Sequence, residues 1–237
     1  MSVLLAYFYE FRYRLLKWVW NVCSINSRVH VLTLMYHHVS DEVHDSSDCC
    51  HHSLDHFRLS IKYLLDQGYI FIPVEKALEK SALRDGCKYA VITFDDVPYD
   101  AYENAVPFLV EKNLPFTMFI TTGFIGQDGY MNVEQIKEVD SLDICTIGAH
   151  TVSHSNLRYS DDPLYEMEAS KKYLEELLDH RIDIMAYPYG RQSSVSRKVI
   201  ECAKRAGFKC AFGTVDAPIS DLSIRSKFYL PRVVRKL

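Results

Sequence analysis

The sequence predicts an α/β fold, a distorted (β/α) barrel of about seven strands preceded by an N-terminal helix. Three observations predict it. From residue 29 onward, short β-rich apolar runs alternate with segments of helical periodicity, and repeated βα units build a mostly parallel sheet. About seven such units fit into roughly 200 residues, which suits a barrel better than an open sheet. The residues with chemistry, His37, Asp95, Asp96, His150, His154 and Tyr189, each fall just after a strand-like run. In a βα barrel those ends gather on one face. An open doubly wound sheet would also place its site there and is the alternative, although no glycine-rich phosphate loop is present.

The elements follow in order. Residues 29–36 read as a strand. Ser53 caps a helix over 54–67, with Gly68 just past its end. A short strand at 69–72 precedes Pro73 and a short helix at 74–81. The run 88–94 is the strand that carries the acidic pair, followed by a helix at 99–112 and a strand at 115–121. A helix at 133–139 leads to a strand at 143–149. The longest helix, 163–180, keeps Leu164, Met167, Tyr173, Leu174 and Leu177 on an apolar stripe. A strand at 182–187 runs into Pro188, a helix at 193–206 closes on Gly207, and strands at 208–212 and 228–234 end the fold. The organisation is therefore an amphipathic helix over 1–27 and one domain over 28–237, with no repeat or low-complexity stretch.

The N-terminal segment is rich in Leu, Tyr, Phe and Trp, but Glu10, Arg12, Arg14 and Lys17 interrupt it. Its longest uncharged run is far below the ~18 residues of a membrane span, and it lacks the order of a signal peptide. A surface helix with an aromatic face is the simpler expectation. Peripheral contact with a membrane is the sharper one, since Trp, Tyr and Arg favour interfaces. Either way the expected location is the cytoplasm or the membrane periphery.

The chain of 237 residues is 48% hydrophobic with a net charge of −4, an ordinary globular balance. It offers no basic face for a nucleic acid. Seven cysteines without a C-x-x-C pair argue against a disulfide framework.

Two motifs carry the function. Thr93-Phe94-Asp95-Asp96 ends one strand, and His150-Thr151-Val152-Ser153-His154 ends another. One Asp and two His hold a divalent ion and leave a position open for water; a second Asp is then free to take a proton from that water. Two His four residues apart can share one side of a single turn. On an extended backbone Asp95 and Asp96 point to opposite faces, which divides the pair into a ligand and a base. Asp48-Cys49-Cys50-His51-His52, with His44 and His56 nearby, is dense in ligand types, but its adjacent pairs suit a tetrahedral site poorly, so an ordinary loop is expected.

These motifs resemble those of the polysaccharide deacetylases with a NodB-homology domain, carbohydrate esterase family 4. Thr93-Phe94-Asp95-Asp96-Val97 matches the family's Thr-Phe-Asp-Asp-Gly, except that Val97 stands for the glycine. His150 to His154 matches its His-Ser/Thr-x-x-His, and Tyr187-Pro188-Tyr189-Gly190 a form of its third motif. The family's third-motif arginine and C-terminal Leu-x-His are absent. Leu34-Met35-Tyr36-His37-His38-Val39 instead resembles the permuted branch of poly-N-acetylglucosamine deacetylases, whose acid histidine lies in the first strand. The resemblance covers residues 29 to 234. It implies a metal on Asp96, His150 and His154, with Zn2+ the default and Co2+, Ni2+ or Fe2+ compatible. It implies Asp95 as general base and His37 as general acid. It implies substrate binding by Tyr187, Pro188 and Tyr189, with the Tyr189 N–H as oxyanion donor. Arg232 would replace the missing arginine beside Asp95 and belongs with the substrate-binding group; Arg191 is its rival. The expected substrate is an acetylated carbohydrate, most of all N-acetylhexosamine units. Two alternatives share these residues: a catalytically impaired sugar-binding relative, and a non-haem Fe(II) oxygenase using the same triad.

Overall fold

Side-chain alternation sorts each strand into two buried faces, and this builds the sheet. The computed structural model describes residues 3–25, 27, 30–42, 50–79, 83, 86–221 and 223–234. Seven strands, β1 (Val31–Tyr36), β2 (Tyr69–Phe71), β3 (Lys88–Asp95), β4 (Phe116–Ile120), β5 (Cys145–Ala149), β6 (Ile184–Ala186) and β7 (Cys210–Phe212), form one parallel sheet. Its order is β1-β3-β4-β5-β6-β7, with β2 beside the start of β3. Leu32, Leu34, Ala90, Ile92, Phe94, Phe116 and Met118 face the outer helices in one core, while Val31, Tyr89, Val91, Phe119, Ala186 and Phe212 pack together on the inner face. A sheet buried on both faces requires such near-continuous apolar strands.

The sheet curls as a barrel does, and the C-terminal segment links its edges. Leu230 bridges Phe212 of β7, and Val233 bridges Leu34 of β1. Val233 N–H donates to Thr33 O at 2.7 Å, and Met35 N–H to Val233 O at 3.1 Å. The last strand expected at 228–234 is thus reduced to isolated bridges, because Pro231 has no N–H to donate to a ladder.

The helices are α1 (Val3–Ile25), α2 (Leu54–Asp66), α3 (Val74–Leu78), α4 (Val106–Glu111), α5 (Val133–Asp140), α6 (Pro163–Leu178) and α7 (Arg197–Arg205). Ser53, Asn132, Asp162 and Ser196 cap α2, α5, α6 and α7 with side-chain acceptors. Helix α3, expected over 74–81, ends at Leu78 because Glu79 turns extended, and two more helices are shorter than their periodicity predicts. A widened π-helical turn, Ala101–Ala105, precedes α4, whose Pro107 cannot extend a regular ladder backwards. Helix α7 starts only at Arg197, because the backbone from Arg191 to Val195 turns back on itself.

Helix α1 has two apolar stripes. Tyr13, Leu16 and Trp20 pack toward Val215, Ala217 and Tyr229. Phe11, Leu15, Trp18 and Val22 repeat at helical spacing on the other face and are exposed. No helix among the described residues is long and apolar enough to cross a membrane.

Candidate metal centre

Asp95 continues the inward-facing set Tyr89, Val91, Thr93 of β3, so period 2 delivers its carboxylate to the mouth of the barrel. The next residue leaves the strand. Asp96 and Val97 both take left-handed backbone, at φ 65° and 64°. The alternation expected of an extended pair is therefore broken, and the left-handed turn brings both carboxylates to the same imidazole. Asp95 Oδ2 and Asp96 Oδ1 each lie 3.8 Å from His150 Nε2. A left-handed β-branched residue is a strained one, and Val97 is held by its N–H to Asp95 O and by Met131 N–H to its carbonyl.

The histidine pair does not form the helical turn its spacing suggests. Residues 150–154 are a loop with Thr151 at φ 70° and His154 at φ 55°. Glu166 of α6 moulds it, accepting from the N–H groups of Val152 (3.0 Å) and Ser153 (2.9 Å) and from Ser153 Oγ (2.7 Å). His154 Nε2 comes to 3.6 Å from Asp96 Oδ1. His150 Nδ1 faces Ala186 O at 2.8 Å, which makes Nδ1 the donor and leaves the Nε2 lone pair toward the acids. Thr121 Oγ1 donates to Asp96 Oδ1 at 2.9 Å and orients that carboxylate.

Ligand atoms of Asp96, His150 and His154 all lie within 4.8 Å of one another. Burial pushes the His154 imidazole below its ordinary pKa, with His150 adding to this against the opposing pull of Asp96 and Asp95. Two imidazoles beside a carboxylate fit a divalent ion. Among the described residues this is the one such cluster. His44, Asp48 and Cys49 lie outside the described residues.

Asp95 sits in a different environment. Arg232 grips it with both arms, Nη1 to Oδ1 at 2.6 Å and Nη2 to Oδ2 at 2.7 Å, while its Nε donates to Gly213 O at 3.0 Å. Burial alone would raise the Asp95 pKa. Arg232, His150 and His37 outweigh it and hold the carboxyl well below the usual range. His37 Nε2 is 3.9 Å from Asp95 Oδ2. His38 instead turns its Nδ1 to Asp100 at 2.9 Å.

The residues named for substrate contact separate. Tyr189 is 57% exposed, at a left-handed position with φ 61°. Tyr187 and Pro188 are buried, and Tyr187 spends its hydroxyl on Phe228 O. Arg232 has no exposed surface at all, so its place is behind the carboxylate rather than against a ligand. Arg191 does not reach Asp95; it lies over the Tyr13 ring. Sequence reasoning missed Thr121 and Glu166. Thr121 follows β4 as the other site residues follow their strands, a usable signal. Glu166 bonds mainly to loop backbone, which no pattern announces.

The family model for polysaccharide deacetylase matches residues 82–211, more than half of the chain. Poly-β-1,6-N-acetyl-D-glucosamine N-deacetylase of Staphylococcus aureus is 27% identical over 198 residues, covering 77% of this chain and 67% of the relative. Among solved structures, the Streptococcus pyogenes deacetylase PplD in complex with acetate matches with a TM-score of 0.74 at 26% identity, over 87% of this chain and 92% of that one. IcaB from Ammonifex degensii, 24% identical, shares the fold with a TM-score of 0.71 over 88% of this chain and 92% of its own.

Proposed function

This chain belongs to the polysaccharide deacetylase family, and we propose that it hydrolyses the acetamide of N-acetylhexosamine units with the roles given below. Members of the family are metal-dependent hydrolases that remove acetyl groups from carbohydrate. The observation that carries the reading is Asp95, ionised and clamped by Arg232, next to the Asp96–His150–His154 cluster, with Asp95, His150 and His154 lining one cleft.

Asp96, His150 and His154 are the ligand set, and Zn2+ is the ion such donors take by default, with Co2+, Ni2+ and Fe2+ compatible. A divalent ion bound there supplies Lewis acidity and a more acidic water. Asp95 takes the proton of the attacking water; the Arg232 clamp fixes its direction and keeps it charged beforehand. The Tyr189 N–H has no acceptor among the described residues and is the donor for the developing oxyanion. His37, across from Asp95, gives a proton to the departing amine, which favours an N-linked acetyl over an ester.

The test is acetate release from N-acetylglucosamine oligomers by the metal-loaded chain. Asp95→Asn keeps its metal and loses about 10²-fold or more in kcat. His37→Ala slows the oligomer far more than nitrophenyl acetate, whose leaving group needs no proton. Loss of metal in Asp95→Asn, or equal losses on both substrates in His37→Ala, would reverse these assignments.

The second part of the proposal is peripheral contact with an anionic lipid surface through α1. The exposed stripe Phe11, Leu15, Trp18, Val22 with Arg12 and Arg14 alongside supports it. Vesicles containing phosphatidylglycerol should sediment with the chain and not with its Trp18→Asp variant; equal sedimentation of both would remove this part.

A further inference from the structure

Helix α1 lies outside the segment matched by the family model and carries no motif residue. It nevertheless supplies a wall of the cleft. Tyr13 lines the same cleft, about 740 Å³, as Asp95, His150 and His154. Its hydroxyl donates to Thr214 O at 3.3 Å and accepts from the Asp216 N–H at 3.4 Å. Lys17 Nζ lies 2.5 Å from Asp216 Oδ2, and Asn21 Nδ2 donates to Asp216 O at 3.2 Å. Helix α1 and the segment after β7 thus form one unit.

That unit is joined to the third-motif loop. Thr214 N–H donates to Gly190 O at 3.0 Å, and Thr214 Oγ1 to Tyr189 O at 3.2 Å. The Arg191 guanidinium lies 5.9 Å from the centre of the Tyr13 ring, in cation–π range. The wall therefore offers two aromatic rings, an exposed arginine and a carboxylate whose side chain is 36% exposed. Aromatic faces take the C–H side of a pyranose, and planar charged groups take its hydroxyls.

We propose that Tyr13, Arg191 and Asp216 form a second saccharide subsite, which holds the sugar unit next to the one presented to the metal centre. The inference rests on the deacetylase reading above. It gives α1 a role in substrate choice: a chain of linked hexosamines gains contacts there that a single sugar lacks.

The experiment measures kcat and KM on the full metal-loaded chain, with N-acetylglucosamine oligomers, the monosaccharide and nitrophenyl acetate. Tyr13→Ala and Arg191→Gln each raise KM for the oligomers, with kcat at saturation nearly held. The oligomer-to-ester ratio of kcat/KM falls about tenfold. Tyr13→Phe, which keeps the ring, retains most of that ratio. The subsite is overturned if Tyr13→Ala and Arg191→Gln leave the ratio unchanged. It is also overturned if Tyr13→Phe behaves as Tyr13→Ala with parallel loss on the ester, the mark of a mere brace. No acetate from any oligomer with the unaltered chain would remove the deacetylase reading and the subsite with it. Acetate released without preference for oligomers over the monosaccharide would remove the subsite alone.

Discussion

Asp95 and Asp96 are covalent neighbours with opposite settings. The Asp95 side chain is 3% exposed and locked to a guanidinium from the far end of the chain, whereas Asp96 is 18% exposed and bonded to Thr121 at the end of the next strand. The same contrast holds for the two sides of the cleft. The side with Asp96, His150 and His154 comes from β3, β4, β5 and the loops just after them, shaped by left-handed residues and by Glu166. The opposite side comes from the chain's two ends, β1 and α1 with the 213–233 segment. A metal site can be assembled from adjacent strand ends because the sheet already brings them together. A buried carboxylate needs a buried countercharge, and the sheet closure delivers one.

If the two sides are built independently, breaking the clamp should spare the metal. Arg232→Met leaves a buried carboxylate unpaired and should cost about 3–5 kcal/mol at neutral pH, read by denaturant unfolding, while metal content stays near stoichiometric. The sign with pH follows from the lowered Asp95 pKa. The pair stabilises the fold above the unfolded value near ~4 and loses that contribution as pH falls through the lower folded value. The deficit of Arg232→Met should therefore shrink toward acid pH. A variant that loses metal without losing stability would show the two sides to be one unit.

The converse change strikes the side with Asp96, His150 and His154. Glu166→Ala removes three hydrogen bonds from the 152–153 loop. It should cost about 2 kcal/mol and weaken metal binding roughly tenfold or more, by titration against a competing chelator. Unchanged metal affinity would mean that the left-handed residues hold the loop without it.

The smallest effect belongs to Val97, which tests how much strain the turn stores. Val97→Gly relieves about 1–2 kcal/mol of left-handed strain but empties a buried side chain worth about 1.5–3 kcal/mol. These nearly cancel, so stability should shift by about 1 kcal/mol or less. Val91→Gly, on the same strand at ordinary φ, should cost more than about 3 kcal/mol. Similar losses at both positions would mean that Val97 is unstrained.

The sequence by itself determined the βα alternation, the strand that ends in the acidic pair, and the placing of Asp96, His150 and His154 just after strands. All of these depend on local pattern: period 2 along β3, helical stripes, and polar residues placed just after apolar runs. The carboxylates converge through the left-handed turn at Asp96, not by alternation, and the histidines converge through a moulded loop, not a helical turn. Only the tertiary structure decided which arginine meets Asp95. Arg191 is near the third motif in sequence, but Arg232 rides the segment that bridges β7 to β1 and reaches Asp95. Only it showed Tyr13 in the cleft, because a contact between residues 13 and 214 leaves no periodicity to read. Partners close along the chain or along one strand imprint the sequence; partners joined by closing a sheet do not, since closure depends on the sum of every strand's twist and register.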